Sequence, residues 1–292
     1  EIYTGEDTLS LHDALPIWTT AIGYGALENQ LDGGFTVAVG AEAMRSNISG
    51  GFDVAVGTDA LYSNTTGNFN TAIGESSLGS NTTGDNNTGV GSGSLRGVVT
   101  GTNNTGLGNN ALENTRSGSY NTAVGVNSGN ATYQFDLDNT TSIGYNAKSV
   151  ANNQITLGDN RINALRAQVT SITSLSDMRD KTDIVNISEG IDFVKRLRPV
   201  TFTWNTRDKA KVGIKSAGFI AQELLALQKG SQIGANLDLV SEDNPDKLEA
   251  RYGNLLPVMV KAIQDQQIII EDQKKRLETL EKLVEQLIQA KK

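Results

Sequence analysis

Hydrophobic positions in the first half of the chain recur in blocks. A small residue, a branched aliphatic and a glycine return as Ala21-Ile22-Gly23, Ala38-Val39-Gly40, Ala55-Val56-Gly57, Ala72-Ile73-Gly74, Gly89-Val90-Gly91, Gly106-Leu107-Gly108 and Ala123-Val124-Gly125, and successive glycines are 17 apart throughout. Two degenerate copies, Ile143-Gly144 and Leu157-Gly158, follow at spacings of 19 and 14, as expected where an array ends. A small-plus-apolar pair comes three and four residues after the first six of these glycines, as in Ala43-Met44, Ala60-Leu61 and Ser77-Leu78. A second glycine comes ten residues after the first (Gly33, Gly50, Gly67, Gly84, Gly101, Gly118), and Asn or Asp often stands four before the next repeat's glycine (Asp53, Asn70, Asn87, Asn104, Asn121).

A unit this short has room for two short strands and two tight turns, with the second glycine expected at positive φ and Asn expected to make turn hydrogen bonds. One unit then makes one coil of a β-solenoid. It cannot bury its own apolar pair, so stacking on its neighbours forms the core. Nine coils at about 4.8 Å predict a rod of roughly 43 Å, along which Asn, Thr and Gly would form ladders of like residues.

The repeat resembles the left-handed β-roll heads of trimeric bacterial adhesins, in which three rolls associate side by side; the likeness covers about residues 19 to 159. A passive spacer, a receptor-contacting shaft and an unrelated glycine-rich solenoid all remain compatible with it. Gly89-Val90-Gly91-Ser92-Gly93 imitates a phosphate-cradling loop but lacks the strand-loop-helix context and repeats in neighbouring units, so no nucleotide site is read there. The triplets Asn64-Thr65-Thr66 and Asn81-Thr82-Thr83 sit at the repeat turn, which accounts for them without glycosylation. Residues 1–18 match nothing that follows and read as a non-native leading segment.

The second half has a different pattern. Ile191, Val194 and Leu197 fit a short amphipathic helix that Pro199 closes; Val200 to Trp204 alternates as a strand, and Phe219 to Leu227 returns to helix. At the end, Leu256, Ile263, Ile270, Leu277 and Val284 fall seven apart, with Met259, Gln266, Gln273, Leu280 and Leu287 at the second seam position. That heptad seam predicts a coiled coil, and its two Gln layers exchange stability for register and strand number; a homotrimer is expected.

Charge marks the same division. Residues 1–175 carry 6 Lys/Arg against 15 Asp/Glu, net −9, and residues 176–292 carry 19 against 18, net +1, which sum to −8. The acidic first half would repel phosphate, so neither nucleic acid nor an anionic membrane is an expected partner. The chain has no cysteine and a single histidine, His12, so thiolate or His-clustered metal sites and a Ser-His-Asp triad are excluded. No cofactor or metal is expected, and no pair of carboxylates stands out as a glycosidase acid and nucleophile. No apolar run approaches the roughly 20 residues that span a bilayer, so a soluble protein without membrane insertion is expected.

Four motifs carry the functional reading of the second half: Ser176-Asp177-Met178-Arg179-Asp180-Lys181, Leu197-Arg198-Pro199-Val200-Thr201-Phe202-Thr203-Trp204, Gly218-Phe219-Ile220-Ala221-Gln222-Glu223 and Tyr252-Gly253-Asn254-Leu255-Leu256-Pro257. In that order, before a long helix, they resemble the intramolecular chaperone, auto-processing domain at the C-termini of endosialidase tailspikes and other phage fibres. The resemblance implies a Ser-Lys dyad, here Ser176 and Lys181, cutting at or beside Leu175-Ser176. Relatives often carry a His before the Gly-Phe-Ile-Ala-Gln motif, where this chain has Ser216 and Ala217. An uncleaved trimerisation cap therefore remains an alternative.

The expected organisation is a leading segment (1–18), a mostly β solenoid of 17-residue repeats (19–159), a linker (160–175), an α+β chaperone domain (176–256) and a long coiled-coil helix (257–292), assembled as a homotrimer. The expected protein is a distal phage tail fibre or tailspike, assembled in the bacterial host cytoplasm and located in the virion. Its partners would be upstream fibre or baseplate proteins and a host surface glycan or protein met by the shaft. The alternative is a bacterial trimeric surface adhesin with a non-cleaving cap. A dedicated protease acting on other chains lacks any recognisable cleft motif.

Overall fold

The computed structural model describes residues 18–131, 136–162, 164–166, 176–207, 209, 211–244 and 246–290. The chain divides into two compact units, Glu1–Leu165 and Arg166–Lys292.

The first unit is a β-solenoid, as the 17-residue period predicts. Strands β1 (Thr20–Ile22), β2 (Val37–Val39), β3 (Val54–Val56), β4 (Thr71–Ile73), β5 (Thr88–Val90), β6 (Thr105–Leu107) and β7 (Thr122–Val124) are followed by β8 (Gly129–Asn130), β9 (Thr141–Ile143), β10 (Lys148–Ser149) and β11 (Ile155–Leu157). They stack as one nine-stranded parallel sheet in the order β1-β2-β3-β4-β5-β6-β7-β9-β11, with β8 and β10 forming a separate pair. Like pairs with like, as in Ala38↔Ala55 and Val56↔Ile73. The degenerate copies at Ile143 and Leu157 are the last two strands, and the parallel register is kept despite their irregular spacing.

Two details differ from the expectation. Most coils hold one three-residue strand and not two; where the small-plus-apolar pair sits, the backbone forms a series of turns. There Leu27, Met44, Leu61, Leu78, Leu95 and Leu112 adopt left-handed conformations with φ between 51° and 55°. That backbone costs an L-residue about 1–2 kcal/mol, while burying a Leu or Met side chain returns about 1.5–3 kcal/mol. All six side chains lie inside the solenoid, so burial wins. The turns also bond coil to coil, through Met44 N to Ala60 O (2.9 Å) and Leu61 N to Ser77 O (3.0 Å), and so do a ladder's work without being strands.

The glycine roles are exchanged relative to expectation as well. It is the first glycine that takes positive φ, as at Gly57 (φ 133°), whereas the second, from Gly50 to Gly118, does not; Gly33, in the first coil, keeps the expected positive φ (85°). Gly67 is required by close approach: a β-carbon there would lie 2.5 Å from Gly84 O and 2.5 Å from Asn64 Oδ1.

Inside each coil the middle strand residue (Ala38, Ala55, Ala72) meets the small residue of the pair. Where the pair's Ala becomes Ser, the strand's Ala becomes Gly in compensation. Ser77 Oγ donates to Gly89 O (3.1 Å) and Ser94 Oγ to Gly106 O (2.9 Å), and a β-carbon at Gly89 would stand 2.6 Å from Ser77 Oγ.

Two buried amide ladders fill the other side. In one, Asn87 N donates to Asn70 Oδ1, Asn104 N to Asn87 Oδ1 and Asn121 N to Asn104 Oδ1, each at 3.0 Å. In the other, Asn64 Nδ2 donates to Asn47 Oδ1 (3.1 Å) and Asn81 Nδ2 to Asn64 Oδ1 (2.9 Å). The second ladder stops where Val98 replaces the next Asn, leaving Asn81 Oδ1 buried without a partner. Outside, Trp18, Phe35, Phe52 and Phe69 stack in one column, with Phe35–Phe52 and Phe52–Phe69 centroids 5.0 and 4.9 Å apart. Trp18, grouped by sequence with the leading segment, is thus in register with the repeats.

The second unit is α+β. Helix α1 (Ile191–Val194) is a single turn, shorter than the Ile191/Val194/Leu197 pattern implies, and leads past Pro199 into an antiparallel hairpin of β12 (Val200–Asn205) and β13 (Val212–Gly218). Helices α2 (Ala221–Lys229) and α3 (Gly234–Leu237) and the small antiparallel pair β14 (Val240–Ser241) and β15 (Glu249–Ala250) precede α4 (Leu256–Ala290). Phe193, Leu224, Leu237, Leu239, Leu255 and Val258 form one core. Among the described residues helix α4 is anchored only at its start. Val258 and Ala262 are buried, and Asp265 Oδ2 accepts from Ile191 N (3.2 Å). Pro257 sits in the first turn, where its missing N–H costs nothing, and no Gly or Pro interrupts the helix thereafter. The predicted seam is exposed throughout, with Ile263 64%, Leu277 57% and Leu287 63% accessible. Among the described residues no helix is long and apolar enough to cross a membrane.

Candidate self-cleavage site and chaperone domain

Ser176 and Lys181 meet. Lys181 Nζ lies 2.6 Å from Ser176 Oγ, across a single 3-10 turn, Met178–Asp180. Local sequence builds that turn. Asp177 caps it by accepting from Arg179 N (2.9 Å) and holds the Arg179 guanidinium (Nη2 to Oδ2, 2.6 Å). Lys181 N then closes the turn on Met178 O (3.2 Å). The neighbouring guanidinium and the capping N–H hold the Asp177 carboxyl below the ordinary aspartate value. A rise of about 2 Å per residue in 3-10 geometry brings residues five apart within reach of a long lysine side chain, so proximity needs no packing from elsewhere.

Both side chains of the dyad are exposed in the single chain. The carbonyl side of the expected scissile bond, Leu175, lies outside the described residues.

The other three motifs prove to be joints of the fold. Arg198, from the first, grips Glu223, from the second, through two hydrogen bonds, one of them Nε to Oε2 at 3.0 Å; the guanidinium pulls the Glu223 carboxyl below its ordinary value. Tyr252, opening the third, takes a hydrogen bond from Phe219 N and gives one to Phe219 O, both 3.1 Å, with the rings edge to face at 5.5 Å. Gly218 is glycine because a β-carbon there would stand 2.7 Å from Tyr252 Oη. Ser216 and Ala217, at the place of the relatives' His, lie in β13 paired with Phe202 and Thr201. The sequence order of the motifs was legible; their mutual contacts needed the fold.

Residues 176–230 match the family model of the chaperone of endosialidase. The match opens on Ser176 and includes Lys181, Arg198, Gly218, Phe219 and Glu223. No curated protein matches the chain. The second unit thus carries an endosialidase-type chaperone domain, and with it an intramolecular chaperone role.

Proposed function

We propose that the chain is the distal part of a trimeric phage tail fibre or tailspike, whose C-terminal domain trimerises the solenoid shaft and then severs itself from it. The observation that carries the reading is the 2.6 Å contact between Lys181 Nζ and Ser176 Oγ at the first residue of the chaperone-domain match.

In the proposed reaction Lys181, as neutral amine, takes the Ser176 hydroxyl proton while Oγ attacks the Leu175 carbonyl carbon. The Leu175-Ser176 C–N bond breaks, the amine nitrogen takes the proton, and an ester joins the Leu175 acyl group to Oγ. Water then hydrolyses the ester, leaving a Leu175 carboxylate and restoring the hydroxyl. The exposed dyad supports coupling this to assembly: neighbouring copies that cover Ser176 and Lys181 would hold the hydroxyl and the amine in attack geometry. Release leaves the shaft kinetically trapped, without the segment that guided its assembly.

Cleavage should release a fragment of 117 residues, 292 minus 175, whose first residue is Ser176. Ser176→Ala and Lys181→Ala should each leave full-length trimers. A denaturing gel with N-terminal sequencing decides it. Wild type that stays at full length, or Ser176→Ala that still cuts, refutes the dyad and leaves a permanent trimerisation cap.

A further inference from the structure

We propose that the first two coils of the solenoid enclose a site for one small monovalent cation of the size of Na+, held by side-chain oxygens of Gln30, Thr36, Asn47 and Asp53. The site lies inside the shaft and depends neither on the trimer nor on the cut at Ser176.

Both amide columns change chemistry in these two coils. Thr36 stands one coil above Asp53, since the strands that follow them pair Val37 with Val54. Gln30 stands one coil above Asn47, for Gln30 Nε2 donates to Gly33 O as Asn47 Nδ2 donates to Gly50 O, both at 2.8 Å. All four side chains are buried. The two columns touch at this level, because Asn64 Nδ2 lies 3.1 Å from Asn47 Oδ1 and 3.4 Å from Asp53 Oδ2. Among the described residues Thr36 Oγ1 and Gln30 Oε1 are buried without a hydrogen-bond partner. In later coils the position of Thr36 is held by an Asn whose amide reaches a glycine carbonyl, as Asn70 Nδ2 reaches Gly84 O (2.9 Å). The shorter Thr36 makes no such bond.

One carboxylate and three neutral oxygens are thus brought together out of water. Among the described residues the groups that bond Asp53 are neutral, Asn70 (N to Oδ1, 2.6 Å) and Asn64, and the charge that acts on it is that of Asp85. A lone buried anion is costly. Burial pushes the carboxyl's pKa up to about 7, so above neutral pH the two coils carry a charge that no neighbouring side chain offsets. A monovalent cation offsets it, whereas a divalent one would bury an excess charge of its own. Coil spacing sets the size of the ion. A guest shared by oxygens one coil apart, about 4.8 Å, stands about 2.4 Å from each, the distance at which oxygen holds a hard ion of the radius of Ca2+ or Na+. Asn81 Oδ1, also buried without a partner, shows the contrast: the next residue in its column is Val98, which has neither oxygen nor charge to share with a guest.

Hydrogen exchange of the full-length protein at pH 8, read by mass spectrometry over peptides from the first three coils, tests this with NaCl against choline chloride at equal ionic strength. Na+ should slow exchange in those coils, about tenfold when it stands at about ten times its Kd, while choline is too large to enter. In Asp53→Asn the two salts should give the same rates, because the carboxylate is gone and the new amide can make the bond that the later Asn residues make. Thr36→Val keeps the acid, removes the hydroxyl, and should raise the Na+ concentration needed for the same protection. At pH 5 wild type should lose the Na+ effect, since below about 7 the folded carboxyl holds a proton in its place. Equal rates for wild type in the two salts at pH 8 overturn the site and leave a buried water as the bridge between these oxygens. Na+ protection that survives in Asp53→Asn, or that is unchanged in Thr36→Val, puts the ion elsewhere and overturns it as well.

Discussion

Asp53 stands where the first amide ladder begins, and replacing it with Asn should stabilise the shaft above neutral pH. In every later coil the ladder Asn both accepts and donates: Asn70, Asn87 and Asn104 each send Nδ2 to a glycine carbonyl, Gly84 O, Gly101 O and Gly118 O, at 2.8–2.9 Å. Asp53 can accept from Asn70 N (2.6 Å) but has a donor for its own coil only when protonated. Its carboxyl is fully buried. Burial raises its pKa from 3.8 to about 7 against the opposing bonds from Asn70, and the Asp85 charge adds to the rise. The groups bonded to it, on Asn64 and Asn70, are neutral. Since the folded value lies above the unfolded one, the native state holds the proton more tightly. The contribution is fully present below pH ~4, is lost as pH rises through about 7, and is constant beyond. Moving a carboxyl from 3.8 to about 7 corresponds to ~4 kcal/mol at 1.36 kcal/mol per pH unit. Asp53→Asn supplies the missing donor and removes that pH dependence. At pH 8 the variant should unfold at higher denaturant, by up to ~4 kcal/mol, and the two proteins should converge near pH 4. Urea unfolding of the full-length protein at pH 4, 6 and 8 measures this. Parallel pH profiles for wild type and variant, or a variant weaker at pH 8, would refute the argument.

Gly67→Ala should lower stability by about 1–3 kcal/mol, as overpacked sites do, and Gly57→Ala by more, because positive φ adds backbone strain; the same urea assay compares them. Ile263→Asp with Ile270→Asp should reduce residues 176–292 from trimer to monomer by light scattering while circular dichroism keeps the signal of the docked globule, since the buried anchors Val258 and Ala262 are untouched. Residues 19–175 expressed alone should aggregate, because registering distant parallel strands is slow; a soluble, protease-resistant trimer from that fragment would show the chaperone domain to be dispensable.

Period and register were legible because stacked coils repeat their contacts: glycine spacing alone placed all nine sheet strands, including those at Ile143 and Leu157. What stayed hidden was local conformation imposed by the stack. Nothing in the intrinsic preference of Leu61 or Phe52 indicates positive φ; the first accepts it in exchange for burial and the second in a column of stacked rings. The second glycine was recognised but assigned to backbone freedom, when its neighbours one coil away forbid a β-carbon. The Gly-for-Ala exchange at Gly89 and Gly106 also had a visible signal, since it coincides with Ser for Ala in the pair. In the second unit Ser176 and Lys181 were singled out through the motif, and the short turn that brings them together is encoded by Asp177 and Arg179. Its exposure could not be read from sequence, since a motif fixes which residues are close but not what packs over them.

The ladders have a consequence for how such a shaft can change. Each coil from β2 to β7 presents the same bonding edge upward and downward at a constant offset of 17 residues, so a whole coil can be excised or duplicated and the cut edges still recognise each other. Asn70 would bond Asn104 as it bonds Asn87. Losing a few residues within a coil shifts the inward Ala, the ladder amide and the close-packed glycine together and leaves nothing to rejoin. Length is therefore a quantised property of this protein, adjustable by in-frame recombination between repeats in steps of about 4.8 Å, while the fold itself stays unchanged.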